Sequence, residues 1–243
     1  MPAQIIAMPT PRHTLVTGAN RGLGLEFTRQ LLVRGDRVVA TCRRPGKATA
    51  LNRLAGEHPG HLHVLPLEVA EPASHAELVR ELPLVLGAEG RLDLVLNNAG
   101  VLHSGERFGS VGAAHLEDSF RTNASGPFLL TQALAPLLAD GARVANLSSR
   151  LGSIGTTARF GTPSYNISKA ALNMATVLLA QALADRGIVV VAFSPGWVRT
   201  DMGGSDADVA PEDAVAGVLR QVDALQTGDS GRFLGTDGAA IPW

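Results

Sequence analysis

The sequence predicts one doubly wound α/β domain: a parallel sheet of about seven strands with helices on both faces. Short β-branched runs alternate with longer helical stretches from end to end, several of the runs are apolar through their centres, and a glycine-rich turn joins the first run to the helix after it. A strand that is apolar on both sides must be covered on both faces, which in this alternation means helices above and below a parallel sheet. The 243 residues suit a single domain spanning 1–243, because a second compact unit would leave too little chain for the first core.

Taken in order, residues 1–11 carry no periodic pattern and read as a flexible N-terminal segment. His13 to Thr17 forms the first strand and runs directly into T-G-A-N-R-G-L-G. Leu25, Phe27, Leu31 and Leu32 then recur at helical spacing within Gly24 to Arg34. Further strands are expected at Arg37 to Cys42, His61 to Leu67, Leu92 to Leu96, Arg143 to Leu147 and Ile188 to Ser194, with an edge strand at Arg232 to Leu234. One helix is expected from Ser119 to Leu138 and a long Ala/Leu-rich one from Ser164 to Arg186, stopped by Gly187. Val101 to His115 and Asp201 to Pro211 are the least regular stretches, and their chemistry reads as small and weakly polar.

Composition excludes several classes of function. With 18% charged residues and a formal net charge of -1, the chain has no field to attract polyanions, so nucleic acid is not an expected partner. The single cysteine, Cys42, excludes an internal disulfide framework, and the N-terminus lacks the charged and apolar regions of a signal peptide. A cytoplasmic location is the expectation. Apolar runs such as Ile188 to Phe193 fall far short of the ~20 residues that a membrane-spanning helix needs, so no membrane partner is expected. His61 and His63 share a strand face but have no third ligand nearby in the sequence, and no metal is assigned.

The turn between the first strand and its helix carries Gly18, Gly22 and Gly24. Glycines there permit a tight turn and close backbone approach to a pyrophosphate, while the helix N-terminus favours the anion. Together with its strand and helix, this turn predicts a dinucleotide site. Tyrosine occurs once in the chain, as Tyr165, and lysine only as Lys47 and Lys169. Tyr165 and Lys169 stand four residues apart, on one face of the long helix. Reducing a carbonyl with a dihydronicotinamide requires an acid beside the oxygen, and a neighbouring ammonium is expected to lower the tyrosine pKa toward that task.

The set T-G-x-x-x-G-x-G, N-N-A-G at Asn97 to Gly100, Ser148-Ser149, Y-x-x-x-K and P-G-W-V-R-T at Pro195 to Thr200 resembles the short-chain dehydrogenase/reductase family, a Rossmann-fold family, over nearly the whole chain. N-L-S-S-R-L-G-S-I-G, S-K-A-A-L-N-M and the ending D-G-A-A-I-P-W look like its C-factor and sniffer-type carbonyl reductases. The resemblance implies an NADPH/NADP+-dependent oxidoreductase acting on a small carbonyl or alcohol substrate. It makes Tyr165 the general acid, has Lys169 also hold the nicotinamide ribose, and has Ser149 orient the carbonyl, with Asn123 supporting a water-linked proton relay. Sixteen residues separate Ser149 from Tyr165 where many members have about thirteen, so Ser148 and Ser153 remain alternatives to Ser149.

Gly18, Asn20, Arg21, Gly22, Leu23 and Gly24 would line the cofactor, with Glu68 and Val69 at the adenine and Asn97, Ala99 and Gly100 on the adenosine-ribose side. Pro195, Gly196, Val198 and Thr200 would receive the carboxamide. NAD-specific sites carry an acid at the end of the second strand; here Cys42 holds that place and Arg43 and Arg44 follow. Arg43 and Arg21 therefore predict a 2′-phosphate site and a preference for NADPH. The family also implies a homodimer or homotetramer packed through the two long helices. A non-catalytic NADP(H)-binding sensor or signalling protein on the same fold is the alternative, and a sugar-nucleotide epimerase or dehydratase is disfavoured by length and glycine spacing.

Overall fold

The computed structural model describes residues 11–87 and 90–243, so the expected N-terminal segment, apart from Pro11, lies outside the described residues. The first half of the sheet comprises β1 (His13–Thr17), β2 (Arg37–Cys42), β3 (Leu62–Pro66) and β4 (Leu92–Asn97), with helices α1 (Gly22–Val33), α2 (Thr49–Glu57) and α3 (Pro72–Leu86) between them. The second half runs α4 (Ala113–Phe120), α5 (Gly126–Leu134), β5 (Leu138–Leu147), α6 (Pro163–Ala182), β6 (Val189–Ser194), α7 (Pro211–Ala224) and β7 (Phe233–Gly235). Among the described residues the seven strands form one parallel sheet in the order β3-β2-β1-β4-β5-β6-β7, the expected doubly wound arrangement.

Alternation along each strand divides the core in two. Val16, Ala40, Leu96, Leu147 and Phe193 pack with Phe27, Leu31, Val215 and Val218 of α1 and α7. Strand residues of the opposite parity, Leu15, Val39, Val95, Val144 and Val190, face the other way, onto Leu78, Leu82, Leu130, Leu134 and Leu179 of α3, α5 and α6. Each fully buried Leu or Phe contributes roughly 1.5–3 kcal/mol through removal from water. Strand order reverses at β1, so the helices leaving β1 and β4 diverge and open a crevice at the carboxyl ends of those strands.

A polar chain runs through the second core. Asn97 Nδ2 donates to Asn146 Oδ1 at 2.8 Å, Asn146 Nδ2 to Thr176 Oγ1 at 2.9 Å, and Thr176 Oγ1 to the Leu172 carbonyl at 2.9 Å, with all three polar side chains buried. These bonds tie β4 to β5 and β5 to α6.

Two expected elements differ. The helix expected over Ser119 to Leu138 begins at Ala113, widens into a π turn at Arg121–Ser125, resumes as α5 and ends in a short 3-10 turn, Ala135–Leu137. Leu138 already belongs to β5, because Leu138 pairs with Leu92 across a register shift that the Asp140-Gly141 pair accommodates, Gly141 having φ of 76°. Helix α6 likewise stops at Ala182 and tightens into a 3-10 turn over Ala184–Arg186 before the left-handed Gly187, φ 64°.

Candidate active site

The glycine turn closes on the end of β4. At Gly18, with φ of 65°, a Cβ would stand 2.9 Å from Ala99 Cα, and at Gly24 it would stand 2.3 Å from the Gly18 carbonyl. No side chain fits either place. Asn98 fastens the turn from the other side, its Nδ2 donating to the Thr17 carbonyl at 2.9 Å. Arg21 enters α1 in extended geometry without a side-chain cap, leaving the first helical N–H groups to a bound anion. Residues of this turn thus fit the pyrophosphate of a dinucleotide. Leu23 packs on the core, Asn20 and Arg21 are exposed, and Thr200 lies within van der Waals reach of a Cβ on Gly22. The segment Pro195 to Thr200 therefore adjoins the turn, with Val198 buried and Gly196 at φ of 88°.

At the end of β2, Cys42 is buried and its thiol is pushed up by burial, whereas Arg43 is exposed with Nε 3.9 Å from Glu68 Oε2. Glu68 Oε1 also accepts from the Ala70 amide at 3.4 Å, and the Val69 carbonyl accepts from or lies against His75 Nε2 at 2.9 Å. Arg21 pairs with Asp201 at 3.0 Å. Both arginines expected at a 2′-phosphate are thus at the surface and held by carboxylates. Asn97, expected at the cofactor, is the last residue of β4, its side chain buried and its Nδ2 donating to Thr131 and Asn146. Ala99 and Gly100 remain at the crevice, the Ala99 amide donating to Thr17 Oγ1 at 3.0 Å.

Helix α6 carries the chemistry. Tyr165 and Lys169 lie one turn apart and both are buried, with Lys169 Nζ 5.5 Å from the centre of the tyrosine ring. Lys169 Nζ donates to the Leu147 carbonyl at the end of β5. Ser149 lies beside the Tyr165 hydroxyl, and its Oγ accepts from the Leu151 amide at 3.2 Å. Of the three serines, only Ser149 faces the tyrosine: Ser148 donates to Asn173 Oδ1 at 2.6 Å, and Ser153 donates to the Pro242 carbonyl at 2.6 Å. Ser153 thereby ties down the C-terminus, where Trp243 stacks on Phe233 as a packing anchor.

The expected lowering of the tyrosine pKa is corrected. Burial pushes Tyr165 up to about 12 against the opposing bond from Ser149, and burial pulls Lys169 down to about 8. Burial dominates both shifts because both groups are enclosed.

Asn123 sits in the π turn. Its Oδ1 accepts from the Val101 amide and its Nδ2 donates to the Val101 carbonyl, both at 2.8 Å, and to Ser168 Oγ at 2.9 Å. It joins the segment after β4 to α6, one residue from Lys169. A Cβ on Gly100 would lie 3.2 Å from Asn123 Oδ1 and 3.7 Å from Lys169 Nζ, so the glycine leaves these groups their space.

Sequence reasoning missed Glu106. Thr162, at the start of α6, adopts a left-handed conformation and gives the helix no side-chain cap. Glu106 does so from 58 residues away: its buried Oε2 accepts from the Ser164 amide at 3.1 Å and from Ser164 Oγ at 2.8 Å. His115 Nδ1 lies 3.6 Å from the other oxygen and stacks on His103, whose Nε2 is 2.8 Å from Asp118. The loop after β4 is thus fastened to the helix next to Tyr165. Nothing local in G-E-R-F-G signals so distant a partner.

The family model described as short chain dehydrogenase matches residues 12–210. C-signal of Myxococcus xanthus is 43% identical over 156 residues, covering 63% of this chain and 94% of that protein. The 1-hydroxy-2-glutathionyl-2-methyl-3-butene dehydrogenase of Rhodococcus is 34% identical over 94% of this chain and 98% of its own length. Among solved structures, NADPH-bound carbonyl reductase from chicken fatty liver superposes with a TM-score of 0.91 at 38% identity, covering 96% of this chain and 99% of that one. Carbonyl reductase Sniffer of D. melanogaster gives a TM-score of 0.91 at 32% identity, covering 96% and 100%.

Proposed function

Since the chain belongs to the short chain dehydrogenase family, we propose that it is an NADPH-dependent carbonyl reductase with Tyr165 as its general acid. The observation that carries this reading is the buried pair Tyr165 and Lys169, one helical turn apart on α6, with Ser149 beside the tyrosine hydroxyl.

When bound, NADPH supplies the hydride. The chain's own residues do the rest. Gly18, Asn20, Gly22, Leu23 and Gly24 line the pyrophosphate, and Ala99 and Gly100 the adenosine ribose. Glu68 and Val69 flank the adenine, while Pro195, Gly196, Val198 and Thr200 face the carboxamide. Ser149 and Tyr165 donate hydrogen bonds to the substrate oxygen as it gathers negative charge, and Tyr165 then gives up its proton. Lys169 holds the ribose and steadies the phenolate left behind. Asn123, packed beside Ser168, supports a water-linked path that returns a proton to Lys169.

Following NADPH absorbance against aldehydes, ketones, diketones and quinones tests this reading, and turnover of none of them would overturn it. The neighbour from chicken fatty liver is described as NADPH-bound, and Arg21 and Arg43 supply guanidinium groups where a 2′-phosphate would lie. A charge-assisted bond contributes roughly 1.5–3 kcal/mol. We therefore expect kcat/KM with NADPH to exceed that with NADH by about tenfold or more, and Arg43→Ala to remove much of that gap. Equal use of both cofactors by the wild type would refute the phosphate site and leave the catalytic assignment standing.

A non-catalytic signalling role draws on the likeness to C-signal; steady NADPH oxidation with any carbonyl compound decides against it. A homodimer through α4, α5 and α6 is proposed from the exposed Phe120, Leu129, Ile167, Met174 and Leu178 on those helices. Light scattering at micromolar concentration should give twice or four times the chain mass, and a strict monomer would contradict it.

A further inference from the structure

The loops around the candidate active site are not the small, weakly polar walls that the sequence led us to expect. Phe108, in the loop after β4, is 89% exposed, and Phe160, just before α6, is 56% exposed. The two rings meet edge to face, their centres 5.9 Å apart. Each is preceded by an arginine, Arg107 and Arg159, and a third such pair, Arg150-Leu151, follows Ser149 directly, with Leu151 48% exposed. Among the described residues, none of these three guanidinium groups has a carboxylate within 4 Å or a side-chain hydrogen-bond partner.

The connections place all three pairs at one mouth. Glu106, adjoining Arg107, is bonded to Ser164, the residue before Tyr165. Phe160 touches Phe108 and lies five residues before Tyr165. Arg150 and Leu151 belong to the turn whose Ser149 meets the Tyr165 hydroxyl, and Leu151 donates its amide to that serine. The one acid within these loop segments that adjoins an arginine is Glu106, and it is turned inward with its side chain only 2% exposed. Asp201, in the loop after β6, is engaged elsewhere, pairing with Arg21 of the glycine turn.

We infer that the substrate is a carbonyl compound with an aromatic or bulky apolar body and an anionic group remote from the carbonyl, its body on Phe108, Phe160 and Leu151 and its anion among Arg107, Arg150 and Arg159. Exposed apolar side chains gathered beside a crevice offer a surface for a ligand's apolar body. A guanidinium recognises a carboxylate through paired hydrogen bonds and stacks on an aromatic face, so the two features suit one ligand. The inference rests on the carbonyl-reductase reading and deepens it.

The test compares two aldehydes of one skeleton with the intact enzyme and NADPH: 4-carboxybenzaldehyde and its neutral methyl ester. The carboxylate should have the higher kcat/KM by about tenfold or more at low salt, the energy of one charge-assisted bond. The ratio should shrink as ionic strength rises. In Arg107→Gln/Arg150→Gln/Arg159→Gln, three exposed changes that leave the core untouched, it should fall toward one. An ester turned over as well as the carboxylate by the wild type would overturn the inference alone, as would a ratio that survives in the triple variant. Failure to reduce either aldehyde or any other carbonyl compound, with NADPH still bound, would instead sink the carbonyl-reductase reading and the inference with it. A Phe108→Ala variant that alters the oligomeric mass and leaves both KM values unchanged would assign the patch to association and also overturn the inference.

Discussion

Replacing Tyr165 by phenylalanine is expected to lower kcat about a hundredfold or more while NADPH affinity changes little. The substitution keeps the ring that packs at the start of α6, where the side chain is only 8% exposed, and removes one hydroxyl. That hydroxyl holds its proton firmly, with burial pushing its pKa up to about 12, so at neutral pH it stands ready as a donor. Without it, the oxygen of the substrate keeps Ser149 as a hydrogen-bond donor and loses its source of a proton. Positioned general acids contribute about a hundredfold to ten-thousandfold, and the loss should fall on kcat because the interaction strengthens only as charge develops. Stopped-flow turnover of a good aldehyde, alongside fluorescence titration with NADPH, checks both halves. Turnover near the wild-type value would remove Tyr165 from its role.

Lys169→Met is expected to abolish most activity and, at neutral pH, to make the fold more stable. The ammonium is 3% exposed and burial pulls its pKa from 10.5 to about 8, which means that enclosing the charged form costs roughly 3 kcal/mol. Methionine has similar length and no charge. It leaves the Leu147 carbonyl without the lysine donor, a loss of about 1–3 kcal/mol, which does not exceed the penalty relieved. The sign with pH follows. Between about 8 and 10.5 the unfolded chain holds its proton at this lysine while the folded one has released it, so wild-type stability rises through that window and the advantage of the variant disappears. Tyr165 acts oppositely above 10: its folded pKa of about 12 means that the stability it contributes below 10 is lost as pH climbs. Thermal melts of both proteins from pH 7 to 10.5 test this. A variant that melts lower than the wild type at pH 7, or that keeps its kcat, would contradict the account.

Much of the fold was legible because β-branched runs bounded by polar or glycine residues admit few alternatives. His13 to Thr17 and Arg37 to Cys42 match β1 and β2 residue for residue. Periodicity could not show the π turn at Arg121–Ser125, since one widened turn leaves the apolar spacing on either side nearly unchanged. Nor could it show that β5 begins at Leu138, where Asp140-Gly141 reads as a turn in isolation. The Tyr165 and Lys169 pair was legible from its spacing and from the rarity of both residue types. The direction of their pKa values was not, because burial is a property of the packed molecule. Asn97 and Asn98 are adjacent and chemically identical, and only the end of β4 decides that the first bonds Asn146 in the core and the second fastens the glycine turn through the Thr17 carbonyl. Glu106 needed the third dimension altogether.

The buried chain from Asn97 through Asn146 to Thr176 constrains how this protein can vary. Every link gives a hydrogen to the next, so replacing one member alone strands a donor or an acceptor away from water at about 1–3 kcal/mol, whereas exchanging a bonded pair for apolar side chains of like shape is close to neutral. Single-step routes away from this arrangement therefore run uphill through a poorly folded intermediate, and only paired steps lead out. Asn97, Asn146 and Thr176 behave as one inherited unit, and a protein-wide scan of single substitutions would record all three as intolerant through packing alone.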